Sequence, residues 1–436
     1  MKISIARINS VYSSDLARNV FTLTSGIAIA QAIPILLQPL LRRLFTPADF
    51  GAFAIYLSIV EILVTIGTLR VEMAIVLPRG ERVAANLFGL SVLLSLAVNI
   101  AALILLILFF HPFALLVGFP EQFLRWLWFI PITTLLFSGS TAVNYWLIRR
   151  KAYRASAVNK ISRRGVEGAI QTGMGFLGSS IGLVIGALLG HLANIISGYF
   201  QLTREGFRWG RFSKTKMLYG WKRYNDFPKF ATLPALLNVI SLLLPVFFVN
   251  RIFSTTDTGY FDLSRQMLIV PMALLAASIG QVLYQRIAER KNNRLPIASG
   301  IHKITAILAG LTLAGAAVIW LWGVELFVFL FGPEWKTSGS ITQVLVIGFG
   351  IRFIVSTVGI VLVGLERIKW LSVWQIVYFL AIVSLIFIPN PDFYQFCIIY
   401  TVIESVCYLA QYLLAMVAMN RYERERKLPR EIRANP

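Results

Sequence analysis

The chain has 436 residues, of which 57% are hydrophobic and only 14% are charged. Soluble domains usually carry roughly 25% charged residues, so this composition excludes a string of water-soluble domains. The apolar residues occur in long runs, which predicts a polytopic membrane protein. The basic residues behind the net charge of +21 lie between those runs, as in loops that face an anionic leaflet, and do not indicate a nucleic-acid partner.

Twelve spans follow from the apolar runs, since a helix needs about 20 residues to cross the hydrocarbon. We place them at 20–41, 51–77, 85–110, 124–147, 158–178, 182–203, 230–252, 262–285, 303–323, 340–364, 370–389 and 394–419. The division between the fifth and sixth spans depends on the short stretch Gly178-Ser179-Ser180. The first apolar run is too long for a signal peptide and is predicted to be a span.

The positions of Lys and Arg predict the orientation. The N-terminus, the even-to-odd loops and the C-terminus hold 33 of the 41 basic residues, and the opposite loops hold 5. This asymmetry predicts that both termini are cytoplasmic and that the number of spans is even. The longest loop, 204–229, is rich in Arg, Lys and aromatic residues and is predicted to lie on the membrane surface.

Span one carries a polar stripe without an acidic residue. Thr24, Gln31 and Gln38 are spaced by seven residues, and Arg42 follows four residues later, so the four share one helix face. We predict that Gln31 and Gln38 line a cavity. Hydrogen bonding to a neighbouring helix is the alternative.

The segment that follows span one is repeated in the second half of the chain. Residues 43–53 match residues 251–261 at a shift of 208 positions without a gap. The matched positions that we single out are Arg43, Asp49, Gly51, Arg251, Asp257 and Gly259. Thr46 and Ser254 precede the two aspartates by three residues, which predicts a cap for the next helix. The two arginines are interpreted as interfacial anchors or as residues that flank an outer opening.

Span two has the most polar residues. Glu61, Thr65, Thr68 and Glu72 are separated by four, three and four residues, which on a continuous helix places them on one face. Ionisable groups in hydrocarbon usually face a cavity or a partner. We predict a cavity-lining face with Glu61 and Glu72 as candidates for ion coupling. Pairing with arginines of other helices is the alternative, and Arg70 is a candidate substrate contact.

Span six contains a glycine at every fourth position, Gly178, Gly182, Gly186 and Gly190, a pattern that favours close packing of another helix. His191 follows the last of these glycines. We predict a packed or hydrogen-bonded role for this histidine rather than a role in proton relay.

The second half contains two arginines within its spans. Arg265 follows Asp262 by three residues, so it is interpreted either as a local ion pair or as a substrate contact. Arg352 lies in span ten, where its planar guanidinium would match the oxygens of a pyrophosphate or an acidic sugar. Glu404 in span twelve is interpreted as a pairing or interfacial residue.

The repeat and the even number of spans predict an all-α integral membrane protein with two pseudo-symmetric six-helix lobes. The lobes are placed at 1–203 and 230–419, with a basic cytoplasmic linker at 204–229 and a basic cytoplasmic tail at 420–436. The sequence contains no nucleotide-binding loop and no metal-ligand spacing. We therefore expect a secondary transporter rather than an enzyme, without a cofactor or a metal.

The segment after span one also carries a resemblance to a known family. It reads Leu41-Arg42-Arg43-Leu44-Phe45-Thr46-Pro47-Ala48-Asp49-Phe50-Gly51 and continues through Thr68-Leu69-Arg70-Val71-Glu72 to Ala74-Ile75-Val76-Leu77-Pro78. Over essentially its whole length the chain resembles the bacterial polysaccharide flippases of the Wzx type. These belong to the multidrug, oligosaccharidyl-lipid and polysaccharide exporter superfamily.

The resemblance implies a multi-pass flippase of the bacterial inner membrane. Such a protein moves undecaprenyl-pyrophosphate-linked oligosaccharide units, as used for O-antigen, capsule or exopolysaccharide, from the cytoplasmic to the outer leaflet by alternating access. Coupling to H⁺ or Na⁺ is expected. The implied partners are the lipid-linked glycan, membrane lipids, and polysaccharide polymerase and chain-length proteins.

Three alternatives remain open. The first is a multidrug extruder of the same superfamily, the second is a flippase of another lipid-linked precursor, and the third is a non-transporting scaffold for polysaccharide enzymes. Many extruders of the superfamily carry an essential aspartate in the first span, and this sequence has none there.

Overall fold

A computed structural model describes residues 29–208, 212–389 and 391–427, and these ranges form helices joined by short turns. The chain divides into two compact units, Met1–Val239 and Ile240–Pro436. The boundary lies inside a helix, slightly later than the predicted start of the second lobe at residue 230.

The helices of the first unit and the one that crosses the boundary are α1 (29–44), α2 (Pro47–Gly67), α3 (Glu81–Leu108), α4 (Phe110–Val117), α5 (Ile130–Arg149), α6 (Tyr153–Phe176), α7 (Gly182–Arg204), α8 (Lys214–Arg223) and α9 (Thr232–Ile252). Those of the second unit are α10 (Thr255–Asn292), α11 (Ala298–Phe331), α12 (Lys336–Val358), α13 (Ile360–Gly364), α14 (Ile368–Val383) and α15 (Phe393–Lys427). Short 3-10 segments cover Val71–Val76, Glu121–Phe129, Pro333–Trp335 and Ser384–Phe387.

Ten helical stretches of the described residues are long and apolar enough to cross a membrane. Two of the twelve predicted spans are not among them. α6 carries several charged residues, and the first span is described only from residue 29. The all-α membrane fold is therefore confirmed, while the count of twelve spans, the two-lobe symmetry and the cytoplasmic termini stay predictions.

The polar second span is not one continuous helix, which corrects the prediction that Glu61 and Glu72 share a helix face. α2 ends at Gly67, and Leu69 and Arg70 have positive φ angles of 48° and 60°. L-residues rarely adopt this left-handed conformation, and two in succession turn the chain away from the helix axis. Glu72 therefore lies in the connection between α2 and α3.

The repeated segment forms a helix cap in each unit, as the sequence predicted. Thr46 Oγ1 accepts a hydrogen bond from the Asp49 backbone N–H at 3.2 Å, and the Asp49 carboxylate accepts one from the Thr46 N–H at 2.9 Å. Ser254 Oγ accepts a hydrogen bond from the Asp257 N–H at 3.0 Å. These bonds satisfy backbone donors that the first turns of α2 and α10 would otherwise leave unpaired.

The glycine series brings α6 and α7 into close contact. A Cβ at Gly186 would lie 2.9 Å from the Glu167 carbonyl oxygen, and one at Gly190 would lie 2.9 Å from the Arg163 carbonyl oxygen. Side chains would not fit at these positions, so the predicted packing role is confirmed. Gly178 instead lies in the turn between the two helices, with a φ of 68°. The contact places Arg163 and Glu167 on the side of α6 that packs against α7.

Each unit has its own apolar core. In the first unit Trp146 and Phe207 pack edge to face, with ring centroids 4.7 Å apart. In the second unit Val358, Val361 and Leu362 are fully buried in one cluster. In the parts of each unit that water can reach, burial of apolar side chains is the main favourable contribution to the free energy of packing.

Candidate functional site

Glu61 is the exposed residue of an otherwise enclosed helix. Every other residue of α2 is buried or partly buried. The Glu61 carboxylate lies within electrostatic range of the Arg163 guanidinium on α6. A carboxylate at the surface of a spanning helix is costly in hydrocarbon, so this surface of the first unit is suited to water or to another polar surface rather than to lipid.

α6 presents a basic face next to Glu61. Lys160, Arg164 and Glu167 are spaced by four and three residues, and Arg163 lies at the edge of the same face. Arg164 Nη1 donates a hydrogen bond to Glu167 Oε2 at 2.9 Å, whereas Arg163 Nε lies 3.9 Å from that oxygen. Arg163 Nε is buried and has no hydrogen-bond partner among the described residues. The face therefore carries three partly buried cations and one buried carboxylate.

Aromatic packing holds Arg163 in position. Its guanidinium carbon lies 5.2 Å from the centroid of the Phe137 ring, and that ring packs on His191 with centroids 4.3 Å apart. His191 is buried, and its Nδ1 lies 3.4 Å from Ser140 Oγ. The packed and hydrogen-bonded role predicted for His191 is confirmed. A cation over an aromatic face is stabilised electrostatically, so Phe137 favours the observed side-chain position of Arg163.

Arg70 and Glu72 are neighbours in the connection after α2. Arg70 Nη1 lies 4.0 Å from Glu72 Oε1, and the glutamate is buried. Burial raises the pKa of this carboxyl, which lies outside the apolar helices, while a hydrogen bond from Thr68 and the charge of Arg70 act in the opposite direction. The roles predicted from sequence, substrate contact for Arg70 and ion coupling for Glu72, stay predictions.

The polar stripe of α1 is partly confirmed. Gln38 Oε1 accepts a hydrogen bond from Arg42 Nε at 2.8 Å, and the buried Arg42 guanidinium lies 3.5 Å from the centroid of the Phe50 ring. Gln31 is partly buried, and Thr24 lies outside the described residues. Gln38 and Arg42 therefore share a face, as predicted, while a cavity-lining role for Gln31 and Gln38 stays a prediction.

The residues of the repeated motif divide by burial. Arg43 and Arg251 are exposed, whereas Gly51 and Gly259 are buried in the first turns of α2 and α10. The two aspartates of the motif belong to the helix caps described above. The aspartates thus have a structural explanation, and the anchor and outer-opening roles of the arginines both stay predictions.

Arg352 is paired within the second unit. Its Nη1 donates a hydrogen bond to Glu404 Oε1 at 3.1 Å, and Tyr378 Oη donates one to Glu404 Oε2 at 2.8 Å. Glu404 is completely buried, and the guanidinium carbon lies 5.7 Å from the Phe349 ring centroid and 5.6 Å from that of Tyr408. The pairing role of Glu404 is confirmed. This geometry does not favour the substrate contact predicted for Arg352, which stays a prediction.

Arg265 makes the local ion pair that its spacing indicated. Its Nη2 lies 3.9 Å from Asp262 Oδ1, and its Nη1 donates a hydrogen bond to the Leu242 carbonyl oxygen at 2.7 Å. Gln266 Nε2 donates to the other Asp262 oxygen at 2.7 Å. Asp262 is thereby shared by two neighbours on its own helix. The substrate-contact interpretation of Arg265 is not tested by these contacts.

The second unit also has an apolar cavity of about 520 Å³ between α11, α12 and α15. At its rim Trp320 Nε1 donates to the Gln343 carbonyl oxygen at 2.8 Å, and Gln343 Nε2 donates to the Trp320 carbonyl oxygen at 3.0 Å. These polar groups satisfy each other, so the cavity offers apolar contact rather than charge. Within the described ranges, no group of three His, Cys, Asp or Glu residues could hold a metal ion.

Sequence reasoning missed the basic face of α6. It placed the fifth span at 158–178, whereas α6 begins at Tyr153. The spacing of Lys160, Arg164 and Glu167 was the available signal, because a four-three spacing indicates one face of a helix. Of the predicted site residues, the structure brings together Arg70 with Glu72.

Comparison with known proteins identifies the family of the chain. Residues 40–340 match the model of a family described as polysaccharide biosynthesis protein. The chain belongs to this family. As a member of the polysaccharide biosynthesis protein family, it is 23% identical over 327 residues to the succinoglycan biosynthesis transport protein ExoT of Rhizobium meliloti (strain 1021). The alignment covers 72% of this chain and 62% of ExoT, so the chain spans less than two thirds of that relative.

Solved structures support the same fold. The inward-facing conformation of a multidrug resistance MATE family transporter of the MOP superfamily matches with a TM-score of 0.72 at 14% identity, over 92% of this chain and 99% of that chain. A MOP superfamily transporter from Pyrococcus furiosus, described as having a binding pocket of reverse polarity, matches with a TM-score of 0.61 at 13% identity, over 93% and 96%. The predicted resemblance is confirmed at the level of family and fold.

Proposed function

We propose that the chain is a flippase that moves a lipid-linked, anionic oligosaccharide across the membrane. The substrate that we propose is an undecaprenyl-pyrophosphate-linked repeat unit, and the direction is from the cytoplasmic to the outer leaflet. Two findings support a glycan substrate: the family is described as polysaccharide biosynthesis protein, and the curated relative is named as a succinoglycan transport protein.

The observation that carries the proposal is the charged surface of the first unit. Glu61 is exposed on an otherwise enclosed helix, and the basic face of α6 lies within its electrostatic range. Charged groups at the surface of spanning segments mark substrate or ion pathways, because hydrocarbon does not solvate them. This surface would therefore line the polar path through which the head of the substrate moves, while the polyprenyl tail stays in lipid.

The charge of that surface suits a diphosphate. Lys160, Arg163 and Arg164 outnumber Glu61 and Glu167, so the net charge of the group is positive. Guanidinium forks match the oxygens of a phosphate, and the side chains of Arg163 and Arg164 are 22% and 27% exposed. Bound lipid-linked diphosphate would neutralise the cation surplus during the movement between leaflets.

Glu61 is our candidate for coupling to a proton or sodium gradient. A carboxylate within electrostatic range of an arginine at a water-accessible surface can bind a cation when an anionic substrate binds the arginine. Competition between the substrate diphosphate and Glu61 for Arg163 would link the two binding events. Alternating access of the two units would then release the head on the opposite side.

Complementation of a strain that lacks the chain tests the proposal. Lipid-linked repeat units should accumulate on the cytoplasmic leaflet, and the wild-type chain should restore surface polysaccharide. The double variant Arg163→Gln/Arg164→Gln, expressed so that its amount in the membrane equals that of the wild type, should fail to restore it. Arg154→Gln, which removes an exposed cation from the same helix, is the matched control and should restore it fully.

Full restoration by the double variant would remove the α6 face from the mechanism. Repeat units that already face outward in the deletion strain would remove the flippase assignment itself.

One observation favours a second candidate, a multidrug extruder. The exposed Glu61 carboxylate could bind a cationic compound. In that case Glu61→Gln abolishes resistance to cationic compounds, and the surface glycan of the strain stays normal. Glu72 gives this alternative no further support, because it is buried beside Arg70.

A further inference from the structure

α8 is part of the folded first unit rather than a free linker. The backbone N–H of Ser213, the residue before α8, donates a hydrogen bond to Asn86 Oδ1 at 2.7 Å. Gly220 lies against α3, where a Cβ would come within 2.9 Å of Leu87 Cδ2. Trp221 of α8 packs against the apolar core of the unit. One face of α8 is therefore fixed to the start of α3.

The opposite face of α8 combines cations with apolar side chains. Lys214, Leu218 and Lys222 follow one another at every fourth position, with Tyr219 and Arg223 beside them. All five are exposed, Leu218 by 52% and Tyr219 by 57%. No acidic residue occurs in the sequence from 206 to 225. The face is thus cationic at both ends and apolar at its centre, and the exposed Asp226 follows the end of α8.

α8 contacts α3 close to the start of that helix. α3 is a spanning helix that begins at Glu81, and its contacts with α8 are made by Asn86 and Leu87. Five or six residues correspond to about 8 Å along a helix axis. A surface helix with Leu and Tyr beside Lys and Arg at this level suits the boundary between headgroups and acyl chains.

We propose that the outer face of α8 is a binding surface for anionic phospholipid headgroups. Lys214 at one end, and Lys222 with Arg223 at the other, contact headgroup phosphates, and Leu218 and Tyr219 reach the acyl boundary. The lipids belong to the leaflet on the side that the distribution of Lys and Arg predicts to be cytoplasmic. This surface is distinct from the α6 face, and it does not depend on the proposed transport function.

Lipid retention by the full-length purified chain tests the surface. The chain is taken from mixed bilayers of phosphatidylglycerol and phosphatidylethanolamine, and bound lipids are counted by native mass spectrometry. We expect selective retention of phosphatidylglycerol, reduced about tenfold in Lys214→Gln/Lys222→Gln/Arg223→Gln. The matched control, Arg294→Gln/Arg424→Gln/Lys427→Gln, removes the same charge from exposed positions of the second unit and should leave retention unchanged.

A probe on α8 tests contact with the bilayer directly. Thr215→Cys carries a bimane label, and the two native cysteines are buried. Brominated phosphatidylglycerol should quench the label more strongly than brominated phosphatidylethanolamine in a fluid bilayer. Equal loss of lipid in both triple variants would show that total charge alone acts, and it would overturn the proposal. Unchanged lipid retention in the α8 triple variant, or the absence of quenching, would overturn it as well.

Discussion

The arginines within the helices of the two units differ in their hydrogen-bond and ion-pair partners. In the second unit Arg352 is hydrogen-bonded to the completely buried Glu404, which a tyrosine also satisfies, and aromatic rings enclose the pair. In the first unit Arg163 and Arg164 share one carboxylate, Glu167, and a buried N–H of Arg163 has no hydrogen-bond partner among the described residues.

The difference distinguishes charged side chains that stabilise the packing from charged side chains that can interact with a ligand. A cation paired one to one with a buried carboxylate stabilises a particular packing and has little left to offer a ligand. A surplus of cations beside an exposed carboxylate has donors that an anion can satisfy. The presence of an arginine in a span therefore does not by itself identify a substrate contact. The side chains that pair with the arginine determine whether it can bind a substrate.

The largest effect on stability should come from breaking the pair in the second unit. Arg352→Met leaves the Glu404 carboxylate buried without its cation, which costs about 3–5 kcal/mol. Thermal unfolding in detergent, followed by size-exclusion recovery, should show a large loss. Arg352→Met/Glu404→Leu should recover most of it. A double variant no more stable than the single one would show that the pair does not act as a unit.

The contact that orients the α6 face comes next in size. Gly190→Ala places a Cβ 2.9 Å from the Arg163 carbonyl oxygen, and overpacking of this kind costs about 1–3 kcal/mol. Gly173→Ala, on α6 with nothing within 4 Å of its Cβ position, should be neutral or slightly stabilising. Thermal unfolding of the two variants side by side measures the difference. Equal stability would contradict the close contact between α6 and α7.

The repeated caps should contribute equally in the two units. Thr46→Ala and Ser254→Ala each remove the acceptor for an aspartate N–H, at a cost of about 1 kcal/mol. Thr46→Ser and Ser254→Thr keep the acceptor and serve as controls. A loss confined to one unit would show that the repeated sequence no longer has the same role in both.

The smallest effect should be a pH-dependent one at Glu72. Because burial raises its pKa, the folded state binds the proton more tightly than the unfolded state does, so stability falls as pH rises past the unfolded pKa. Glu72→Gln removes this dependence. The unfolding temperature of the variant should exceed that of the wild type at pH 8 and approach it at pH 5. The opposite trend would mean that pairing with Arg70 outweighs burial.

Patterns carried by apolar runs and short motifs were predictable from sequence. Capping at Thr46 and Ser254 depends on residues three positions apart, and the glycine spacing of α7 is local in the same way. Pairing was one of the two roles that the sequence predicted for Glu404. These features follow from neighbours along one helix or one turn, which a sequence displays directly.

Features that depend on backbone direction or on distant partners were not predictable. The prediction that Glu61 and Glu72 share a helix face was wrong because Leu69 and Arg70 adopt left-handed conformations, which their residue types do not indicate. The basic face of α6 was missed because its charges lower the hydropathy of the segment, although the spacing of Lys160, Arg164 and Glu167 does indicate one helix face. The Tyr378 hydrogen bond to Glu404 joins two helices and leaves no local signal.

We expect the surface around Glu61 to be aqueous although it belongs to the membrane-spanning part of the first unit. Labelling with a charged, membrane-impermeant thiol reagent in intact membranes tests it most directly. Glu61→Cys is compared with Leu105→Cys, an exposed position on the apolar surface of α3, and the buried native cysteines provide the background. We expect rapid labelling of Glu61→Cys and none of Leu105→Cys. A Glu61→Cys thiol as unreactive as that of Leu105→Cys would contradict it.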